Sequence, residues 1–419
     1  MATNITSTLS NSVRTRYLNK YLVGALGARV YDMFAQVPEG RPMSELEKGD
    51  TVQVNFLSDL QLATSAISQV ADIDPERFVD ATASISPTSR AKAIQDSELL
   101  QIQNYLDYND KAGAKWAKLG KNMMLSVDLL AMNAATQGSN VIRSAARASL
   151  DAGTAADRLT DSSFSEAEAR FSTMKVPEFL DSNGMRVAGA PGLAAIMHPY
   201  PYHDLRTSGN VDDVGIYQQA GIILDFALGR VGPFQLIVTP WAKVFWGAGA
   251  DNGTNIATTL SAAGTALDTT ITVASATSIA AGMALNIGTE ETAGTHYPHN
   301  ERVVVSDSYT SGTTIPILGS GDNGGLQYDH DSAVAVRNAD SVYTVVYGGP
   351  MSMAKLYATE NIGPSGMLEP SGPYGMTVMP HAQGNVHQFS TAGWKFYGGY
   401  GRWVETWLLR QEVSVSQEA

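Results

Sequence analysis

The sequence predicts an α+β body with a small all-β domain inserted into it, and three observations carry that reading. A long amphipathic helix pattern runs from about Asn109 to Thr136. Runs rich in β-branched and aromatic residues lie on both sides of it. Between Gly247 and Asp340 the texture changes to Thr, Ser, Ala and Gly with short strand-like runs, and the aromatic style of WAKVFW then resumes in SVYTVVYGG. Mixed helices and strands mark the body as α+β. A texture that stops and resumes marks one domain threaded into a surface loop of another.

The first 35 residues are basic, with Arg14, Arg16, Lys20 and Arg29 against Asp32. From Thr51 to Leu57, TVQVNFL alternates polar and apolar, and a second extended stretch runs from Phe78 to Ile94, interrupted by Pro87. The two predict a long hairpin. The polar excursion between them, Ser58 to Glu76, is too poor in apolar residues for a core of its own, so the hairpin is expected to project and to be stabilised by neighbours.

In the long helix, roughly 42 Å at 1.5 Å per residue, Ala112, Trp116, Leu119, Met123, Val127 and Leu130 fall on one arc about 80° wide. Lys111, Lys115, Lys118 and Lys121 centre about 140° away, which gives the first half one buried and one basic face. Leu125, Leu129 and Met132 continue the basic arc, so the second half should be enclosed on nearly all sides, with Gly138 as its stop. A shorter helix is expected to begin near Ser165, which stands in capping-box spacing with Glu168, has Phe171 and Met174 on its inward face, and is bounded by Pro177. LAAIMHP (Leu193 to Pro199) has strand length, and IILDFALGRVGPFQLIVTP reads as two strands around Gly229 to Gly232. Inside the insert, ERVVVSD, TTIPIL and SAVAVRN are separated by Gly, Asp and Asn turns, the pattern of a small all-β domain. The closing GWKFYGGYGRWVETWLLRQEVSVS is strand-like again and returns to the main body.

At 419 residues the chain is expected to form two or three domains. Zero cysteines exclude disulfides, thiolate metal sites and cysteine nucleophiles, which fits a reducing compartment. No stretch approaches the roughly 20 apolar residues of a membrane span, and the N-terminus lacks the apolar core of a signal peptide. Charged residues are only 16%, a composition that favours contact between subunits. The net charge of −13 is concentrated in Gly247 to Asp340, where Arg302 and Arg337 face ten carboxylates.

The motifs that could carry chemistry have simpler readings. GSGDNG (Gly319 to Gly324) matches the dinucleotide pattern literally, but no helix pattern follows it, and a Gly-rich turn is the better reading. His296 and His299 form an H-x-x-H across Tyr-Pro, which blocks a helix, so a loop is expected there. Asp322, Asn323, Asp329 and Asp331 lack the spacing and terminal Glu of an EF-hand, and a cation among the three aspartates is left open. His198 and His203 sit in HPYPYHDLR without a nucleophile in GxSxG context, and a packed or capping role is expected. The residues predict no catalytic, cofactor or metal site. The lysine arc meets either water or nucleic acid phosphates, and the basic first segment supports the second reading. Aromatic residues do not interleave the lysines, so such contact would be independent of base sequence.

The order of these elements resembles the major capsid proteins of tailed phages with the Hong Kong 97-type fold, and among them the N4-like phage capsid family. The resemblance rests on the basic arm, the projecting hairpin, the stretch from Gln95 into the long helix, IMHPYPYHDLR, GRVGPFQLIVTP and GWKFYGGYGRWVETWLLRQE. It implies an N-terminal arm (1–40), an extended loop (41–95), the spine-helix region of a peripheral domain (96–150) and the first part of an axial domain (151–246). Residues 341–419 would supply the rest of the axial domain and the strands returning to the periphery. The insert, 247–340, departs from the pattern.

The implied function is a non-enzymatic virion protein, assembled in the bacterial cytoplasm. It would form hexamers and pentamers of an icosahedral shell around double-stranded DNA, with no cofactor and no membrane. Its implied partners are its own copies, a separate scaffolding protein, a portal and a decoration protein. Arg14, Arg16, Lys20, Lys111, Lys115, Lys118 and Lys121 would face the genome, and the acidic insert would stand outside the shell. Two other classes stand beside this one: a virion adhesion module whose β domain binds a host surface, and a hydrolase using His198 or His203 as base.

Only about 50 residues precede the hairpin. The expectation is that no large N-terminal scaffolding segment is cut away. The intact mass of the chain from mature particles should therefore equal that of the full sequence within a few residues' mass, and loss of a large N-terminal piece defeats the expectation.

Overall fold

The computed structural model describes residues 30–37, 52–57, 60, 77–97, 112–179, 192–208, 227–290, 299–321, 323–357, 360–362, 368–370, 376–383 and 389–416. In chain order its strands and helices are β1 (Ala35–Gln36), β2 (Val52–Leu57), β3 (Asp80–Ile85), β4 (Thr88–Ser97), α1 (Ala112–Thr136), β5 (Val141–Ile142), α2 (Asp161–Met174), β6 (Leu193–Met197) and α3 (Pro199–Thr207). Strands β7 (Ala227–Val231), β8 (Phe234–Val238), β9 (Val244–Phe245), β10 (Ala257–Thr259), β11 (Thr270–Thr272), β12 (Ala284–Ile287), β13 (Glu301–Val305), β14 (Thr314–Leu318) and β15 (Ala335–Arg337) follow. The chain closes with β16 (Val342–Gly348), β17 (Met353–Tyr357), β18 (Glu360–Ile362), β19 (Leu368–Pro370), β20 (Met376–Gln383), β21 (Phe389–Arg402) and β22 (Leu408–Val413). Two compact units result: Met1–Ala131 with Met353–Val404, and Met132–Ser352 with Glu405–Ala419.

The first unit is organised by β21, which carries β20 on one side and β4 on the other, while β17 and the short β1 extend the sheet. Leu119, Met123, Met124 and Val127 of α1 pack on Ala392, Trp394 and Phe396 of β21. The indole Nε1–H of Trp394 donates to Asn122 Oδ1 at 3.2 Å. The buried Asp128 carboxylate accepts from the backbone N–H groups of Val30 and Tyr31 at 3.0 and 2.8 Å, which ties the residues before β1 to the helix. The long hairpin is shorter than expected. β2 pairs with β3 from Val52↔Ile85 to Leu57↔Asp80, but the stretch beyond Pro87 leaves as β4 and pairs with β21. Proline has no N–H for the ladder, so it falls between strands.

In the second unit, β16 is buried along its whole length between β22 on one side and β6 and β9 on the other, with β8, β7 and β5 completing a mixed sheet. α2 covers it through Phe164 and Phe171, whose rings meet Tyr347 edge-on at 5.4 Å and Phe234 at 5.9 Å. This helix starts a turn earlier than the capping-box spacing indicated. Thr160 precedes it and the inward face begins at Phe164, so Ser165 and Glu168 lie inside the helix. Gly138, with φ of +113°, follows α1 where a left-handed residue was expected to stop it.

The strands of residues 257–337 form a sheet of their own in the order β10-β15-β12-β13-β14-β11, antiparallel throughout. The bridge Leu260↔Val273, with Ser261 N–H donating to Thr272 O and Ala274 N–H to Thr259 O, brings β11 back onto β10. The sheet is therefore a closed six-stranded barrel without a free edge. Inside lie Leu260, Ile271, Leu285, Val303, Ile315 and Val336, among others.

Charge is buried beside the β16 sheet. Glu412 accepts from Arg147 Nε and Nη2 at 2.9 and 2.6 Å and from Arg410 Nε at 2.9 Å, and Arg143 stands 3.7 Å away. Arg410 also donates to the Thr136 carbonyl at the end of α1. Burial would raise the Glu412 carboxyl, but the hydrogen bonds from Arg147 and the surrounding guanidinium charges hold it below its ordinary value. Removing this carboxylate strands three guanidiniums together. Glu412→Gln should cost about 3–5 kcal/mol in urea unfolding, and a loss below about 1 kcal/mol would mean that solvent screens the cluster.

Candidate functional site

The residues singled out as genome-facing separate into two groups. Arg14, Arg16, Lys20 and Lys111 lie outside the described residues. Lys115 lies in α1, and Lys118 and Lys121 are exposed on it one turn apart, while Leu119 and Met123 between and beyond them are buried. The helix presents a basic strip because its opposite face is held on β21.

The histidine proposed as a base is used otherwise. His198 ends β6 and caps α3, its Nδ1 accepting from the Tyr200 N–H at 3.3 Å and its ring packing 5.0 Å from Tyr200 and Tyr343. Burial pulls it down to about 4, which keeps Nδ1 an acceptor at neutral pH. His203 is exposed, 3.6 Å from Asp204.

The Gly-rich run makes a turn at the end of β14. Gly319 N–H donates to Gly324 O at 2.8 Å and Gly321 N–H to Gly325 O at 2.9 Å, and a Cβ on Gly319 or Gly321 would collide with the Gly325 carbonyl. Asn323 serves this turn through Leu267 O and Gly325 N–H, while Asp329 accepts from Ala266 N–H at 2.8 Å. Asp331 is exposed. Asp322 and His296 lie outside the described residues, and His299 stacks on Tyr328 at 5.1 Å. Among the described residues no cluster of His, Asp or Glu is arranged to hold a metal ion.

Two features were not read from the sequence. The first is apolar exposure beside the hairpin, where Leu60, Phe78 and Val79 are 49, 57 and 65% exposed. The second is a cleft of about 670 Å³ between the barrel and the segment Pro240 to Trp246 of its own unit. Its walls come from segments spread between His198 and Tyr343, so no local pattern announces it.

No family model matches the chain, and no curated protein matches it. Solved structures do. The capsid of Ralstonia phage GP4 matches with a TM-score of 0.53 and 11% identity, over 94% of this chain and 93% of that one. The cyanophage Pam1 capsid asymmetric unit matches with a TM-score of 0.51 and 11% identity, over 94% of each chain. The chain has the Hong Kong 97-type capsid fold. α1 lies in the stretch that follows Gln95, and β2 with β3 forms a hairpin, as the order of elements in the sequence predicts.

The His198 cap gives a pH dependence with a definite sign. Its folded pKa of about 4 lies below the ordinary 6.5, so the unfolded chain binds the extra proton between those values and stability falls as pH drops through that window. His198→Asn, which retains a capping acceptor, should flatten this part of the profile. Urea midpoints measured across the window for both chains check it, and parallel profiles would sink the assignment.

Proposed function

We propose that this chain is a non-enzymatic major capsid protein whose copies assemble as hexamers and pentamers into an icosahedral shell around double-stranded DNA. The single observation that carries the reading is the capsid fold over the whole length, with more than nine-tenths of both chains covered in each of the two comparisons. The exposed Leu60, Phe78 and Val79 support it, since apolar groups beside the hairpin would be covered by a neighbouring copy in a shell.

On this reading Lys118 and Lys121 face the genome and offset phosphate charge without reading bases, helped by Arg14, Arg16, Lys20, Lys111 and Lys115. The barrel stands on the outer surface. Its segment carries eight more negative than positive side chains, and DNA inside, with one phosphate charge per roughly 1.7 Å of duplex, would repel it. A separate scaffolding protein and a portal complete the particle, and the bacterial cytoplasm is the site of assembly.

Electron microscopy of the purified full chain should show capsomers or closed shells, with the barrel outermost in the averaged map. The double variant Lys118→Glu/Lys121→Glu should still form shells but retain less DNA as salt is raised. Monodisperse monomers with no shells under any assembly condition would overturn the capsid reading. A barrel on the inner surface would overturn its placement, and lysines on the outer surface would overturn their role.

A further inference from the structure

The cleft beside the barrel has the chemistry of a ligand site. Its volume of about 670 Å³ falls among small-ligand cavities, about 300–1,000 Å³. Trp241 and Leu318 line it and are 39 and 58% exposed, so large apolar groups in its lining are left open to solvent. Other rings of the lining are already braced by their neighbours. Tyr328 stacks on His299 with an interplanar angle of 18°, and Tyr200 meets Tyr343 at 84° and 5.8 Å. Rings held this way keep their faces in place before a ligand arrives.

Planar polar groups sit among these rings, namely the Arg302 guanidinium and the Asn300 and Gln327 amides. The charges are matched. Burial disfavours the Arg302 charge and the Asp340 carboxylate acts against that, while Glu301 accepts from the Gln327 and Tyr328 N–H groups and lies 2.8 Å from His330 Nε2. A phosphate or nucleic acid would find one already compensated cation beside two carboxylates. A hydrocarbon chain would bury the exposed Gln327 amide without offering it a hydrogen bond. The ligand that satisfies both sets of groups has flat apolar ring faces and a rim of neutral hydroxyls.

We propose that this cleft binds a neutral oligosaccharide, with sugar rings lying against Trp241 and Tyr328 and hydroxyls bonded by Arg302, Asn300 and Gln327. Binding needs no covalent step and does not depend on shell formation.

The probes are chitohexaose, cellohexaose and maltoheptaose, titrated into the full chain by calorimetry and saturation-transfer NMR. At least one should bind saturably. Trp241→Ala should weaken it about tenfold, the scale of one lost aromatic contact. Gln327→Ala, a substitution at an exposed side chain, should also weaken it, and Leu267→Ala, exposed and outside the cleft, should not. Absence of saturable binding to all three probes up to about 10 mM, or full binding by both cleft variants, overturns the proposal. Micrographs of the same samples separate the two readings. Shells without sugar binding remove only this site, and sugar binding without shells removes only the capsid assignment.

Discussion

The second unit depends on one short pairing. β9 meets β16 at Val342↔Phe245 and Tyr343↔Val244, so the chain leaves the sheet and re-enters it on adjacent strands. The ladder continues past the sheet, with Gly249 N–H donating to Asp340 O and Asp340 N–H to Ala250 O, each at 2.8 Å, and a bridge at Asp251↔Ala339. Everything between those strands must start and finish at one place. A closed barrel meets that constraint without presenting an unpaired strand.

The junction is fastened by polar contacts. Asn286 of β12 donates to the Ala339 carbonyl at 2.6 Å and accepts from Ser341, while Lys243 pairs with Glu290, which also donates its N–H to Trp246 O. Burial, with Arg147 and Arg410 nearby, pulls the Lys243 ammonium down to about 7, and the Glu290 carboxylate acts against that shift. Lys243, Arg147 and Arg410 all lie over the Phe245 ring, Arg147 closest at 3.7 Å. Such groups are costly to bury, and their contribution is geometric. A one-residue shift of the ladder between 249–251 and 339–340 would leave buried charges without partners.

Legibility in the sequence followed the range of the interactions. Leu119, Met123 and Val127 could be assigned inward, and Lys118 and Lys121 outward, because a helix sorts its faces within a few residues. The two strands around Gly232 and the His198 cap were equally local. α2 starts a turn before Ser165 because Phe164 packs on Tyr347, a contact with a distant strand that the local capping-box spacing does not carry. The hairpin was drawn too long because Pro87 marks a break without saying which partner the next strand takes.

The sequence by itself determined the mixture of elements, the separate texture and charge of the 247–340 segment, and the two-faced helix. These follow from composition and period, which each residue carries with it. Only the tertiary structure decided that six short strands close through Leu260↔Val273, that Arg143, Arg147 and Arg410 converge on Glu412, and that Trp241 and Leu318 line one cleft. Those outcomes depend on strand order and register between distant segments, and a linear pattern of apolar and polar residues permits many such arrangements.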